Sequence, residues 1–457
     1  MDRRQFCIRG LALPALGLCG PGILWAGGAQ AQAAVPFDRE WLVRHAEELA
    51  AEAFRPSENR LPPAVDSLNW DGYQEIRFRR EQALWRDTDT NFQVQFFHLG
   101  LYYKEPVQIF EVADGQAQEI PFASSLFDYG KSGLDPAAVD GLGFAGFRLH
   151  HFSDFERDMV VFLGASYFRA VSAERQFGLS SRGLAIDTGL PKGEEFPVFR
   201  AFWLERPSPG QSSVTVHALL DSKSVTGAYT FIVRPGRTTV MEVAAKLFPR
   251  KEIRQIGIAP LTSMYLTGEN DRRMAKDFRP EIHDSDGLSM HRGNGEWLWR
   301  PLSNPADLAI SSFVDENPRG FGLQQRDRNF ANYQDDGVFY DRRPDLWVQP
   351  TSGWGRGEIK LVEIPTDQEV FDNIVAFWTP EQPVAAGQPL DFSYRLYWGE
   401  GMPVDISKPA QAIATRIGVG GHPGQPTPDN TQKFVIDFAG GLLDMLPSDA
   451  KVDAPWK

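Results

Sequence analysis

From Trp70 onward the chain is divided into short runs in which apolar and polar residues alternate, each run closed by turn-forming residues. "FQVQFFHLG", "VQIFEV", "FPVFRAFWLERP", "SVTVHALL", "GAYTFIVRPG", "TTVMEVAAKLF", "LAISSFV", "GEIKLVEI" and "LDFSYRLYWG" are examples, and "YQEIRFR", "MVVFLGASYFRAV" and "NIVAFWTP" extend the series. A period of two suits a pleated strand and no helix, because successive strand side chains point to opposite faces. The 42 glycines and 33 prolines are spread between these runs as punctuation and do not gather into a linker. The pattern predicts a mainly β protein, a large antiparallel sandwich whose strands have one buried and one solvated face. The one strong helical pattern is "FDREWLVRHAEELAAEAF" (37–54).

The first 34 residues stand apart from this pattern. Arg3 and Arg4 precede Phe6, a modestly apolar run follows, and Ala-x-Ala sites fall at 29–31 and 31–33. This reads as a twin-arginine export signal and places the mature protein in the periplasm. Cys7 and Cys19, the only cysteines, both lie in it, so the mature chain is expected to have no disulfide, thiol nucleophile or cysteine–metal site. No later stretch reaches 18 apolar residues, and no transmembrane segment is expected. A formal charge of −13 argues against nucleic acid as a partner, since phosphate neutralisation needs clustered Lys and Arg. A break after "RLYWGEGMPVDISKPAQ" sets a domain boundary near 405, dividing a large domain (35–404) from a short C-terminal segment (405–457). At about fifty residues that segment is short for a β-sandwich, which normally takes about 100.

Two acidic stretches invite a chemical reading. "RPEIHDSDGLSMHRGNGEWLWRPL" (279–302) mixes Asp284, Asp286, Arg292 and Glu296 with Trp297 and Trp299 among glycines. Without sustained alternation it is expected to be an ordered loop, either a sugar-binding loop, where carboxylates meet hydroxyls and indoles meet C–H faces, or a salt-bridged surface loop. In "VEIPTDQEVFDNIVAFW" (362–378), Glu369 and Asp372 are three apart and would face one cleft if the segment makes a helical turn. Glycoside hydrolysis uses a pair of carboxyl groups, and the two stretches offer one each. Asp372 also suits a cap or Asx-turn. His150–His151, the only histidine pair, has no metal-ligand spacing and is expected in a partly exposed loop. Neither a metal nor another cofactor is expected.

"HDSDGLSMHRGNGEWLWRPL", "ENPRGFGLQQRDRNF", "GWGRGEIKLVEIPT" and "DNIVAFWTP" together resemble the periplasmic glucan biosynthesis protein G/D family, with the export signal favouring its D branch. The resemblance runs from about Phe37 to the end of the chain. It implies a large galactose-mutarotase-like β-sandwich followed by a smaller immunoglobulin-like β-domain, here short of several strands of the family pattern. It also implies a role in making osmoregulated periplasmic β-1,2-linked glucans, with hydrolysis or transglycosylation of that backbone. β-1,2-Glucan chains are the implied partner, and the inner-membrane glucan synthase stays open as another. By position, Asp372 matches the family's general acid with Glu369 beside it, Asp284 the opposing carboxylate, and Tyr340 a loop closing over substrate. Arg300 and Asp286 would support Asp284, and Trp297 or Trp299 would be a stacking platform or plain core. Carboxylates on separate loops favour inversion. A general acid must hold its proton, and Phe371, Ile374 and Val375, with Glu369 as a like charge, are the groups expected to favour that at Asp372. The alternatives are a non-catalytic glucan-binding scaffold protein and, on fold analogy alone, a mutarotase or epimerase.

Overall fold

The computed structural model describes residues 34–57, 61–401, 403, 410–422, 424–426, 431–447 and 449–453. The export signal, save Ala34, and the boundary near 405 lie outside the described residues.

The alternating runs form strands, and these strands form two large sheets. In the 12-stranded sheet, Val198–Glu205, Val214–Asp221, Val225–Arg234 and Thr239–Pro249 follow one another as antiparallel neighbours. Leu390–Gly399, Asp345–Pro350, Gly320–Gln324, Gly287–His291 and Trp297–Pro301 then continue it to one edge. The 10-stranded sheet runs from Ala309–Glu316 through Arg356–Glu363, Ile374–Pro380 and Ile256–Ser263 to Phe144–His151 and Phe92–His98. Among the described residues only Gln108–Ala113 against Val198–Glu205 is a parallel pair. The sheets meet face to face through aromatic rings: Phe162 and Phe168 of one contact Phe202, Phe231 and Trp398 of the other. The chain is therefore a mainly β protein built on a sandwich, as the period of two predicts.

One solvated face per strand holds only in places. Ala309–Glu316, an edge strand, alternates along its length, but Ile256–Ser263 is buried throughout. A second layer explains the difference. The helix Arg39–Ala51 is capped by Asp38, whose side chain accepts from Trp41 N at 2.6 Å. Leu42 and Ala46 join Trp203, Leu219 and Ala228 in a small core on the outer face of the 12-stranded sheet. On the other sheet, Gly189, just after Ala185–Ile186, lies against Val362, where a Cβ would meet its side chain at 3.1 Å, and Val362, Val375 and Phe377 form a small cluster apart from the main core. Strands covered on both sides have no polar face to display.

The stretch 279–302 is not a loop. It holds the strand Ile282–His283 and a hairpin, Gly287–His291 paired with Trp297–Pro301. The alternation is absent because Gly287–Met290 are buried on both faces. Arg292–Glu296 make the turn: Glu296 N donates to Asn294 Oδ1 and Arg292 pairs with Glu296 at 2.7 Å. His150 and His151 end the strand Phe144–His151, and His150 is buried with Nδ1 3.1 Å from the Arg157 carbonyl. They are not a loop pair. Of segment 405–457, the described residues hold a hairpin, Gln411–Val419 with Gln432–Ala439, and a turn of 3-10 helix, Gly441–Met445.

Candidate active site

Three segments distant in sequence meet beyond the hairpin. The first, 265–285, carries Glu281, His283 and Asp284; the second, 325–345, carries Tyr340 and Arg343; the third is the turn 366–372 between Arg356–Glu363 and Ile374–Pro380. Two buried asparagines hold the third segment in place. Asn304 Nδ2 donates to the Thr366 carbonyl at 2.8 Å, and its Oδ1 accepts from Thr366 N at 3.0 Å. Asn373 does the same at the far end, donating to the Tyr265 and Ile364 carbonyls and accepting from Tyr265 N at 2.8 Å. A side-chain amide offers both donor and acceptor, so one asparagine can fasten a turn to a neighbouring strand as a backbone pair would.

Asp284, 1% exposed, pairs through Oδ1 with Arg343 Nη1. The Arg343 guanidinium lies over the Tyr340 ring, 4.2 Å from its centre. Tyr340, itself 2% exposed, donates its hydroxyl proton to Glu369 Oε2 at 3.1 Å. The same oxygen accepts from Arg279 Nη1 at 2.8 Å, and Arg279 also binds Asp335 at 2.8 Å and Asp277 at 2.6 Å. One chain of contacts thus joins Asp284, Tyr340 and Glu369, three of the residues singled out by the sequence. Asp372 stands half-buried on the same turn as Glu369, three residues on, just before the buried Asn373, Ile374 and Val375. The turn is not helical. Glu369 directs its charge at Arg279 instead of standing as an unpaired like charge beside Asp372, because a guanidinium within hydrogen-bonding reach is the stronger partner.

Asp286 belongs to a neighbouring polar pocket. Its Oδ2 accepts from the backbone N–H groups of Arg326 and Asp327, both at 3.0 Å, while Oδ1 is buried with no hydrogen-bond partner among the described residues. Burial pushes its carboxyl up to about 6, against the opposing pull of His283, the Asp327 amide and Arg326. Burial likewise brings Arg326 down to about 10. With Glu269, Glu281, His283, Trp299 and Asp327, Asp286 lines a cavity of about 30 Å³ closed on one side by Ala412–Thr415 of the C-terminal hairpin. Arg326 donates to the Ala412 carbonyl at 2.8 Å, and Thr415 N donates to Glu269 at 2.7 Å.

Arg300 does not support Asp284. It donates to Glu363 Oε2 at 2.8 Å, while Ser303 donates to Glu363 Oε1, and Arg343 takes the place expected for it. Both tryptophans are half-buried. Trp297 stacks on His291 at 4.1 Å, and Trp299 lies under the Arg326 guanidinium at 3.5 Å. Trp299 also covers Gly287, where any Cβ would strike the indole. Arg279, His283, Asn304, Gln325, Arg343 and Asn373 escaped the sequence reading. Each has at least one partner far away in sequence, 42 residues for His283–Gln325 and 108 for Asn373–Tyr265, so no local spacing marks them.

A sequence profile described as "Periplasmic glucan biosynthesis protein, MdoG" matches residues 37–456. A Shewanella oneidensis protein named "Probable glucans biosynthesis protein D" is 54% identical over 430 residues, 94% of this chain and 79% of its own length. A Xanthomonas campestris pv. campestris protein named "Glucans biosynthesis protein D" is 53% identical over 465 residues, 99% of this chain and 87% of its own. Among solved structures, a galactose mutarotase related enzyme from Lactobacillus acidophilus is 9% identical with a TM-score of 0.24, covering 52% of this chain and 97% of its own.

Proposed function

The chain belongs to the periplasmic glucan biosynthesis protein family, and from that premise we propose that it cleaves or transfers the β-1,2-linked glucan backbone in the periplasm after twin-arginine export, using carboxylates on two separate segments. The observation that carries the reading is the contact chain Asp284–Arg343–Tyr340–Glu369, which ties the segment bearing Asp284 to the turn bearing Asp372. Asp372 gives its proton to the glycosidic oxygen as the bond to the anomeric carbon breaks. Water attacks that carbon from the opposite face and its proton passes to Asp284. A hydroxyl of a second glucan chain in place of water gives transfer by the same steps. Glu369 and Arg279 hold the turn, and Arg343 holds the Asp284 carboxylate in place through its guanidinium.

Incubation of the mature protein with linear β-1,2-glucan, followed by product sizing and NMR of the new anomeric protons, tests this. Shorter or redistributed chains of inverted configuration are expected. Asp372→Asn keeps the shape and loses the proton, so kcat should fall at least about 10²-fold with glucan affinity kept. Unchanged chain length under every condition overturns the proposal.

One observation favours the second reading, a glucan-binding protein without turnover: Asp284 is closed behind Arg343 and hardly exposed. Glucan binding with no products, indifferent to Asp372→Asn, would select it.

A further inference from the structure

His283 precedes Asp284 and is wholly buried. Its ring nitrogens each face a single oxygen: Nδ1 is 2.8 Å from Gln325 Oε1, and Nε2 is 2.8 Å from Glu281 Oε2. The Gln325 amide can stand only one way round. Its Nε2 reaches the backbone carbonyls of His283, at 2.8 Å, and Tyr340, at 3.2 Å, and carbonyl oxygens only accept. Gln325 therefore turns its oxygen toward Nδ1, which must carry a hydrogen, and the Glu281 carboxylate calls for a second hydrogen on Nε2.

We infer that His283 is an imidazolium and a positioning residue: it fixes Gln325, and Gln325 holds the carbonyl of Tyr340, which opens the 3-10 turn Tyr340–Arg342 leading into Arg343. The inference rests on the reading of Asp284 and Tyr340 as part of the active site. A neutral ring would leave a lone pair against either the Gln325 oxygen or the Glu281 carboxylate, and an unmatched buried acceptor is costly. The groups facing the ring from every side fit a cation. Glu281 binds it, Asp286 lies across the pocket, Tyr265 stacks on it at 5.1 Å with planes 8° apart, and Tyr333 meets it edge-on at 5.3 Å. Burial by itself would push the imidazole down; the Glu281 hydrogen bond and the charges of Glu281 and Asp286 outweigh it, so the group stands above its ordinary value. With a raised folded value, the cation is fully present below the unfolded value and is lost as pH rises through the folded one. The latch on Tyr340 should therefore loosen as pH rises through that raised value.

The charge is read without substrate. The full chain, labelled with ¹⁵N-histidine, is compared with His283→Gln to identify the His283 signals. Both nitrogens should be protonated at pH 7, and a neutral tautomer there overturns the charge assignment. Positioning is read by hydrogen exchange: His283→Gln and Gln325→Glu should each speed exchange over 338–343 while leaving 144–170 unchanged. Unchanged exchange over 338–343 in Gln325→Glu, which keeps an oxygen toward Nδ1 but loses the donor to Tyr340, overturns positioning even if His283→Gln fails to fold. On glucan, kcat of Gln325→Glu should drop by on the order of tenfold or more, with KM nearly kept. A wild type without turnover would defeat the proposed function, while the nitrogen signals and the exchange rates would still decide this inference.

Discussion

Around Phe162 the two sheets meet through rings: Phe147, Phe168, Phe202 and Phe231 surround it at 5.0 to 5.6 Å, stacked or edge-on, with no polar group needed to hold them. Around His283 the burial is as complete, but beside the Tyr265 and Tyr333 rings stand polar groups, Glu281, Asp284, Gln325 and Asp345, each fixed by a directional bond. Apolar contact is non-directional and tolerates modest repacking. A buried charge is tolerated only while its own partner is present. The first region stabilises the fold, and the second holds reactive groups in place at a cost in stability.

The largest effects should come from breaking either kind of contact, and their recovery should differ. Phe162→Ala is expected to lose about 3–5 kcal/mol in urea denaturation, with any glucan turnover unchanged in the folded fraction. Arg343→Leu should lose about 3–5 kcal/mol by leaving Asp284 buried without its cation. The double variant Asp284→Asn/Arg343→Leu should regain at least about 1 kcal/mol, which no second change near Phe162 would do for Phe162→Ala. Additive losses in the double variant would erase the contrast between the regions.

Asp286 sharpens the comparison with an effect of opposite sign. Its folded value, about 6, lies above the ordinary carboxylate range, so the folded state binds this proton more tightly. The resulting stabilisation is complete below the unfolded value and is lost as pH rises through about 6, leaving an ionised, half-satisfied carboxylate at neutrality. Asp286→Asn keeps an acceptor for the Arg326 and Asp327 amides and removes the charge. It should raise stability at pH 7 by up to about 3 kcal/mol, and the gain should vanish below about pH 4. A gain independent of pH would place the cause elsewhere.

The smallest effect lies on the surface. Glu296→Ala removes the exposed partner of Arg292 at the hairpin turn and should cost less than about 1 kcal/mol, shrinking further in added salt. A larger, salt-insensitive loss would mean that the hairpin is held as the buried charges are.

The fold was legible wherever a strand keeps one open face. In Thr239–Pro249, Met241, Val243 and Leu247 are buried while Glu242 and Lys246 stand on the more open face. Legibility failed for 287–291, where both faces are covered and the run reads as a loop, and for His150, whose burial depends on its neighbours. At the candidate site the sequence pointed to Asp284, Tyr340, Glu369 and Asp372, and the structure links the first three directly, with Asp372 on the same turn as Glu369. It also assigned Arg300 to Asp284, a pairing the structure replaces with Arg343.

Period and punctuation by themselves determined that this chain is a β protein with one long helix at its start, because side-chain direction in a strand is fixed by local geometry. Composition set the acidic charge and confined both cysteines to residues 1–34. Only the tertiary structure decided which carboxylate meets which cation. Arg343 reaches Asp284 across 59 residues, and Arg279 reaches Glu369 across 90. Hydrogen bonds and ion pairs act over a few ångströms, so partners so distant in sequence are selected by how the sheets bring their connecting segments together.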